Sequence, residues 1–518
     1  MTKLVWTIAG SDAAGGAGIQ ADIKAMASFN VHAATVITAL TGQNSLGVLS
    51  INATSIEIIN AQLSALEQDK LPEVIKIGLL ANSEQVEFIA NKIAHYKQAW
   101  QQAPIVVYDP VAIASTGDSL VEQDILSSIK NLLLPLIDVL TPNCQEAQRL
   151  TGVYLLDSYA MVAARKKFQQ LGVKQVIIKG GHWNLPQGYC VDYAFDGIEE
   201  YWLGNENIAT MHSHGTGCSF AAVIAACLAY HYPFKDAFIL AKTYINQGLK
   251  KAEQIGYGEG SVAHLGFPCN VDDFPQVITC NSTLGQLLAL DRLYCNESAA
   301  NTAQCFLPCT KKALGLYAVI DSIDWLKFCL EQGVKTIQLR IKNKDETQLR
   351  SQIQQGIKLA EQYQAQLFIN DHWQLAIKYQ AYGVHLGQED LQQADLKAIK
   401  KAGLRLGIST HGFYELIHAY QYRPSYLALG AIYATNTKNM SGKIQGIDKL
   451  AHYVELIKDT PLVAIGGINI DRAKAVLSTG VDSIAVVSAI TTAENPQQAI
   501  IQLIACCSAS INSKAQWC

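Results

Sequence analysis

From Leu314 onward, eight short apolar runs recur at near-even spacing: Leu314–Ile320, Lys335–Ile341, Gln366–Asn370, Gly383–Leu386, Arg405–Ser409, Tyr426–Ile432, Leu462–Ile468 and Ser483–Ile490. Each of the first seven is followed by a stretch of helical periodicity, and a last helix follows the eighth. Strands separated by helices pair in parallel, and eight such units in succession close into a TIM (β/α)8 barrel. Polar and glycine residues gather at the C-terminal ends of six of these strands, where such barrels build their active sites. Ordinary polar turns would account for one or two such clusters, but fit six of eight poorly.

The first half also alternates. Leu4–Gly10, His32–Leu40, Glu73–Leu80, Pro104–Pro110, Ile137–Asn143 and Gln175–Gly181 are rich in Val and Ile and read as strands. Ser55–Leu66 and Ser83–Tyr96 read as helices between them. That order predicts a mostly parallel sheet covered on both faces, hence an α/β domain. From Ser213 the pattern turns helical, and Phe220–Tyr230 is small and apolar on nearly every face, so it is expected to be buried. Between the halves, Cys269–Lys312 loses the alternation, with a possible helix at Ser282–Tyr294 and the polar run Asn296–Gln304. The expected layout is a first domain over 1–268, a linker over 269–312 and a barrel over 313–518.

At 518 residues the chain calls for two or three domains. A net charge of −4 offers no basic excess for nucleic acid. No run is long and apolar enough to span a bilayer, and residues 1–30 lack a basic stretch followed by an apolar one, so a cytoplasmic protein is expected. The thirteen cysteines are a small fraction of this length, and free thiols are the expectation. Cys269, Cys280, Cys295, Cys305 and Cys309 crowd the linker without a zinc spacing or a His among them, and read as incidental thiols ahead of a metal site. Homo-oligomer formation is left open.

Gly16-Ala-Gly18-Ile-Gln-Ala21 matches a dinucleotide fingerprint as a bare pattern, but no Asp or Glu stands between Asp22 and Glu57 to hold a ribose, and that reading fails. The turn Gly215-Thr-Gly217 before the buried helical run is more specific. Free backbone amides and the helix dipole favour negative charge there, as on a transferring phosphoryl group. Cys218 enters the same helix start, where a thiol pKa is lowered; a small buried residue is the competing and weightier reading of that position alone. Asn143 and Glu146, three apart at a strand-to-helix junction, share a face and are candidates for orienting hydrated Mg²⁺, with an ordinary helix cap as the alternative for Asn143.

Ala9-Gly-Ser-Asp12, Gly15-Gly-Ala-Gly-Ile-Gln-Ala-Asp22, Thr38-Ala-Leu-Thr-Gly-Gln-Asn44, Lys76-Ile-Gly78, Asp109-Pro-Val111, Thr141-Pro-Asn143, Lys179-Gly-Gly-His182 and His214-Gly-Thr-Gly-Cys218 together resemble the hydroxymethylpyrimidine/phosphomethylpyrimidine kinases, over about residues 1–268. The resemblance implies a ribokinase-like fold. It also implies two successive ATP-dependent phosphorylations of 4-amino-5-hydroxymethyl-2-methylpyrimidine, giving the diphosphate. Gln43 would recognise the pyrimidine, since an amide both donates and accepts, and Cys218 would take the place of the fold's usual Asp base. Leu79 stands where the family often has Met, and Gly256-Tyr-Gly-Glu-Gly-Ser261 is a variant of the late glycine-rich stretch.

In the barrel, Asp371 and Asp390 end neighbouring strands, so their carboxylates are expected to converge on one Mg²⁺ completed by a substrate diphosphate. Arg340 and Lys342, two apart on a strand, are expected to point to one side, and Lys438 follows the sixth strand. Gly466-Gly467 and Ser488 end strands seven and eight, where barrels commonly bind a phosphate. One diphosphate site and one monophosphate site imply the joining of two phosphorylated substrates; salt bridges at a barrel rim explain single pairs but not the phosphate loops.

Gln338-Leu-Arg-Ile-Lys342, Ile369-Asn-Asp371, Gly383-Val-His-Leu-Gly-Gln-Glu-Asp390, Gly407-Ile-Ser409, Thr435-Asn-Thr-Lys438, Ala464-Ile-Gly-Gly-Ile468 and Val487-Ser-Ala-Ile490 resemble thiamine-phosphate synthase, over about 313–505. The resemblance implies that diphosphate leaves the pyrimidine's methylene with Mg²⁺ help. The carbocation is then captured by the ring nitrogen of 4-methyl-5-(2-phosphoethyl)-thiazole. It implies that Gln338, Arg340, Lys342, Asn370, Ser409 and Lys438 hold the pyrimidine diphosphate, and that Thr435, Thr437, Gly467, Val487 and Ser488 hold the thiazole phosphate. Ile341 departs from the Glu often found there.

The first half's product would be the second half's substrate, which predicts a bifunctional enzyme with the intermediate diffusing freely between sites. The competing readings are a pyridoxal kinase of the same fold in the first half, against which Gln43 and the Gly215–Cys218 context argue, and a non-catalytic barrel, against which both carboxylates and all three cations argue.

Overall fold

The computed structural model describes residues 2–111, 125–181, 183, 188–293, 305–342, 345–435 and 444–515, with side chains described through 509. The chain divides into two compact units, Met1–Thr279 with Leu287–Leu293, and Cys280–Gln286 with Tyr294–Cys518.

The first unit is built on ten strands: β1 (Lys3–Asp12), β2 (Val31–Asn44), β3 (Gly47–Ala53), β4 (Val74–Ile77), β5 (Ile105–Tyr108), β6 (Val139–Leu140), β7 (Gln175–Ile178), β8 (Tyr189–Phe195), β9 (Glu200–Glu206) and β10 (Gln276–Val277). They lie in the order β10-β9-β8-β7-β6-β5-β4-β1-β2-β3. The centre, from β2 through β1 to β7, is parallel, and each flank is antiparallel. The six strands expected from sequence are that parallel centre, whose near-continuous apolar runs reflect burial on both faces. The flanking strands carry no such run. The β8–β9 hairpin is instead set by its turn, where Asp196 Oδ1 accepts from the amides of Ile198 and Glu199 at 2.8 and 2.7 Å.

Helices cover the sheet. Ser83–Ala99 starts at Asn82, whose side chain accepts from the Gln85 amide, and its Tyr96 stacks on Trp100 beside the buried Trp6. In Thr216–Ala229 every residue from Ser219 to Ala229 is buried, as the small apolar composition predicts. The helix expected over Ser282–Tyr294 is two short ones, Thr283–Leu287 and Leu290–Leu293, interrupted at Ala289 with φ +53°. The run Asn296–Gln304 lies outside the described residues.

The second unit is a closed barrel of eight parallel strands: β11 (Gly315–Ile320), β12 (Thr336–Leu339), β13 (Gln366–Asn370), β14 (Gly383–Leu386), β15 (Arg405–Thr410), β16 (Tyr426–Gly430), β17 (Leu462–Ile465) and β18 (Ser483–Val486). Tyr317, Val319, Phe368, Tyr426, Ala428, Val463 and Ala485 fill its interior. Phe368 meets Tyr426 edge-on at 5.0 Å, and Tyr317 meets it at 5.7 Å. Gly407 makes room for this packing, because a Cβ there would lie 2.1 Å from the Tyr426 ring.

Candidate active sites

The first unit holds a cavity of about 450 Å³ above the C-terminal ends of the parallel strands. Gln43, Asn143, Glu146, Gly215, Gly217 and Cys218 all line it. Gly215 caps the buried helix with φ +82°, and a Cβ on it would stand 1.8 Å from the Gly16 carbonyl, so only glycine lets the two loops meet there. Asp12 ties this junction together. Its Oδ2 accepts from the amides of Gly16 and Ala17 at 3.0 and 2.8 Å and lies 2.9 Å from His214 Nε2. Gln43 Nε2 reaches the same His214 nitrogen at 3.5 Å.

Asn143 and Glu146 form a reciprocal capping box on the helix Cys144–Thr151. Asn143 Oδ1 accepts from the Glu146 amide at 2.9 Å, and Glu146 Oε2 accepts from the Asn143 amide at 2.7 Å. The cap reading of Asn143 therefore holds. Glu146 keeps a second oxygen, and burial together with the Asp109 carboxylate, against Lys179, pushes it up to about 7.

Cys218 departs from expectation. A helix start was expected to lower its thiol, but burial pushes it up to about 11: Lys76 and the Gly18 amide act downward, while Asp109 and Asp22 add to the rise. Desolvation outweighs the helix dipole here, although Cys218 is only partly buried and lines the cavity.

Three ion pairs at this cavity carry no role in the sequence reading. Lys76 and Asp22 pair at 2.9 Å with both side chains wholly buried, and Thr7 Oγ1 donates to Asp22 at 2.5 Å. Burial alone would lower the Lys76 ammonium; Asp22 outweighs it and holds it above its ordinary range. Lys179 bonds Asp109 Oδ1 at 2.7 Å, leaving Asp109 Oδ2 buried without a hydrogen-bond partner. Lys242 pairs with Asp192 at 3.0 Å. A single charge inside an otherwise apolar strand, as Lys76 is in Val74–Ile77, is the sequence signal that could have found the first of them.

The barrel's cavity, about 190 Å³, opens at the C-terminal ends of its strands. Gln338, Arg340, Asn370, Asp371, Asp390, Ser409, Thr435, Gly467, Val487 and Ser488 line it. Two expectations need correction. β12 ends at Leu339, so Arg340 and Lys342 do not share a strand face: Arg340 lines the cavity, while Lys342 is exposed and outside the lining. Asp390 does not end a strand but sits in the first turn of the helix Gln388–Gln393. Thr437 and Lys438 lie outside the described residues.

Asp371 has φ +62°, a region that non-glycine residues rarely occupy. Its amide donates to the His385 carbonyl at 2.9 Å, and its side chain accepts from Asn370 Nδ2. Burial and the neighbouring Asp390 push its carboxyl up to about 6, against Arg340 and Asn370. Strain of this kind gathers at functional positions, and two carboxylates crowded together favour a cation between them.

His385 and His411 also line the cavity and were given no role from sequence. His385 joins Ser409 Oγ at 2.7 Å to the Tyr426 hydroxyl at 2.6 Å, and burial, with Arg340, pushes it down to about 3. His411 is held by Glu415 at 2.8 Å.

Comparison with known proteins matches residues 12–263 to the family described as Phosphomethylpyrimidine kinase and residues 313–490 to that described as Thiamine monophosphate synthase. The chain is 32% identical over 501 residues to the Thiamine biosynthetic bifunctional enzyme TH1, chloroplastic, of Arabidopsis thaliana, covering 94% of this chain and 89% of that one. It is 54% identical over 198 residues to the Thiamine-phosphate synthase of Citrobacter koseri, covering 38% of this chain and 94% of that one. Among solved structures, the phosphomethylpyrimidine kinase of Clostridium difficile 630 is 31% identical at a TM-score of 0.42, covering 48% of this chain and 100% of that one.

Proposed function

The chain belongs to the bifunctional thiamine-biosynthetic enzymes that join a phosphomethylpyrimidine kinase to a thiamine-phosphate synthase, and on that premise we propose how its two sites divide the work. The first half, a ribokinase-like α/β domain, is the kinase; the second, a TIM barrel, couples the pyrimidine to the thiazole. The kinase is assigned to residues 1–268, the synthase to 313–518, and 269–312 to the link between them.

In the kinase, Gln43 reads the aminopyrimidine, and the amides of Gly215, Gly217 and Cys218 at the helix start receive the phosphoryl oxygens of ATP. Lys179 adds positive charge beside them. Cys218 is a neutral thiol at pH 7, and it takes the substrate hydroxyl's proton only from the thiolate form, which Lys76 and the Gly18 amide favour. The Asn143 backbone amide orients the Glu146 carboxylate through the capping box. The buried, unpartnered Asp109 Oδ2 beside Glu146 fits a divalent cation, so these two carboxylates would hold the kinase's Mg²⁺.

In the synthase, Gln338, Arg340, Asn370 and Ser409 hold the pyrimidine diphosphate, joined by Lys342 and Lys438 from the adjoining loops. Thr435, Thr437, Gly467, Val487 and Ser488 hold the thiazole phosphate. The paired carboxylates Asp371 and Asp390 fit Mg²⁺, which when bound would neutralise charge on the diphosphate. The chain's own part is then to align the two rings and balance charge as the C–O bond breaks and the C–N bond forms. The described cysteines are unpaired thiols, which supports a reducing, cytoplasmic setting.

The observation that carries this reading is the presence of two separate cavities in one chain, each with a carboxylate pair beside a cation. The test is a one-pot reaction of hydroxymethylpyrimidine, thiazole phosphate, ATP and Mg²⁺. Thiamine phosphate is expected from the intact chain, and Asp371→Ala is expected to stop there with pyrimidine diphosphate accumulating. ATP consumption without thiamine phosphate would overturn the synthase assignment, and no phosphorylation of the pyrimidine would overturn the kinase assignment.

A further inference from the structure

His411 follows β15 directly, two residues beyond Ser409, and lines the barrel's cavity. All of its polar atoms but one are committed. Its amide donates to Glu415 Oε2 at 2.9 Å, its ring Nδ1 lies 2.8 Å from the same oxygen, and its carbonyl accepts from Gln445 Nε2 at 3.1 Å. Glu415 is buried in the helix Phe413–Gln421 and stands outside the cavity lining. The remaining atom, Nε2, belongs to a side chain 14% exposed and makes no hydrogen bond among the described residues. The ring is therefore clamped through one nitrogen and unengaged at the other.

The charges lining this cavity leave a diphosphate short of partners. A bound Mg²⁺ would have its charge matched by Asp371 and Asp390, and Arg340 is then the one fixed cation among the described lining residues. The other lining histidine, His385, is kept neutral by burial. Gln388 Nε2 donates to the Ser409 carbonyl at 2.6 Å, which ties the end of β15 to the helix whose first turn carries Asp390. We propose that His411, clamped by Glu415, is a leaving-group residue of the synthase, whose ring Nε2–H donates to the departing diphosphate. This rests on the synthase reading above and deepens it.

Nδ1 gives its hydrogen to Glu415, a carboxylate that can only accept, so Nε2 donates from the doubly protonated ring. Glu415 on one side and the diphosphate on the other both favour that form; Asp371 and Asp390 act in the same sense, Arg340 acts against it, and neutral His385 adds no charge. The imidazolium keeps both protons throughout. The electron pair of the C–O bond leaves with the diphosphate, the thiazole nitrogen supplies the pair of the new C–N bond, and no proton changes hands. Charge on the diphosphate grows as the C–O bond breaks, so the contact strengthens toward the transition state and acts on kcat as well as on binding.

The competing account is that His411 only helps Glu415 cap the helix Phe413–Gln421. Two variants of the full chain separate them. His411→Asn keeps the backbone bond to Glu415 and a side-chain donor near the Nδ1 position, but has no atom at Nε2; His411→Gln reaches the Nε2 position with a neutral donor. Supplied with pyrimidine diphosphate and thiazole phosphate, His411→Asn is expected to lower kcat about tenfold or more, and to raise the Kd of inorganic diphosphate, read by calorimetry with Mg²⁺, by a similar factor. The KM for thiazole phosphate is expected to stay within about twofold of wild type, and His411→Gln to recover at least about threefold of each loss. A His411→Asn chain within about twofold of wild type in both kcat and diphosphate Kd overturns the proposal, as does a His411→Gln chain no better than His411→Asn. A raised thiazole phosphate KM with the diphosphate Kd unchanged also overturns it. A wild-type chain that forms no thiamine phosphate and binds no inorganic diphosphate overturns the synthase reading itself, and is seen before any variant is made.

Discussion

Asp371 and Asp390 line one cavity, and burial together with the Asp390 charge keeps the Asp371 carboxyl up at about 6. The fold therefore holds two like charges together in the absence of a cation.

A carboxyl whose folded pKa is raised contributes stability that is present below its unfolded value, near 4, and is lost as pH rises through about 6. Above that pH, in the absence of Mg²⁺, Asp371→Asn is expected to stabilise the barrel by about 1 kcal/mol, a figure discounted for solvent screening. It is also expected to abolish thiamine phosphate formation while leaving pyrimidine phosphorylation intact. Melting curves at pH 5 and pH 7.5 check this: the gain should be larger at the higher pH, and a variant less stable at both would refute the repulsion.

Asp109 offers a buried oxygen without a partner beside Lys179. Asp109→Asn is expected to reduce kinase turnover about 100-fold or more while the synthase, supplied with pyrimidine diphosphate, runs at its wild-type rate. Steady-state assays of each half in the same preparation decide it; a kinase slowed less than about tenfold would remove Asp109 from the site.

Cys218 is held as a neutral thiol by burial and by Asp109 and Asp22. At pH 7 its alkylation by iodoacetamide is expected to be at least about tenfold slower than that of the exposed Cys269 and Cys305, and to accelerate as pH climbs toward 11. Peptide mapping by mass spectrometry reads the three rates together. Equal or faster modification of Cys218 at pH 7 would mean a thiolate already in the resting site.

The Lys76–Asp22 pair is wholly buried. Asp22→Leu alone strands the ammonium and is expected to destabilise the first unit by about 3–5 kcal/mol, whereas Asp22→Leu with Lys76→Met should recover most of that loss. Denaturant unfolding of the two variants separates these outcomes, and equal destabilisation by both would show that packing rather than charge is at stake.

Most of the parallel strands were legible in the sequence because burial on both faces writes an apolar run into them, although β2 is only partly buried. The hairpin β8–β9 was not, since its pairing depends on the Asp196 turn and on one neighbouring strand. Site residues that sit at strand ends, such as Asn370 and Ser409, announced themselves by breaking apolar runs. His385 did not, because a lone histidine in Gly383–Leu386 acquires meaning only from Tyr426 and Ser409, which lie on other strands. Lys342 misled for the opposite reason: the two-residue alternation that should have turned it beside Arg340 stops at Leu339, where the strand does.

The two compact units occupy one continuous polypeptide, each with its own core and its own cavity. Every ribosome that completes the chain thus delivers one kinase and one synthase, and no change in expression can alter that one-to-one proportion. A cell carrying this protein can adjust the balance between making the pyrimidine diphosphate and using it only through turnover numbers and substrate supply. Selection on either rate is therefore felt through the amount of the other.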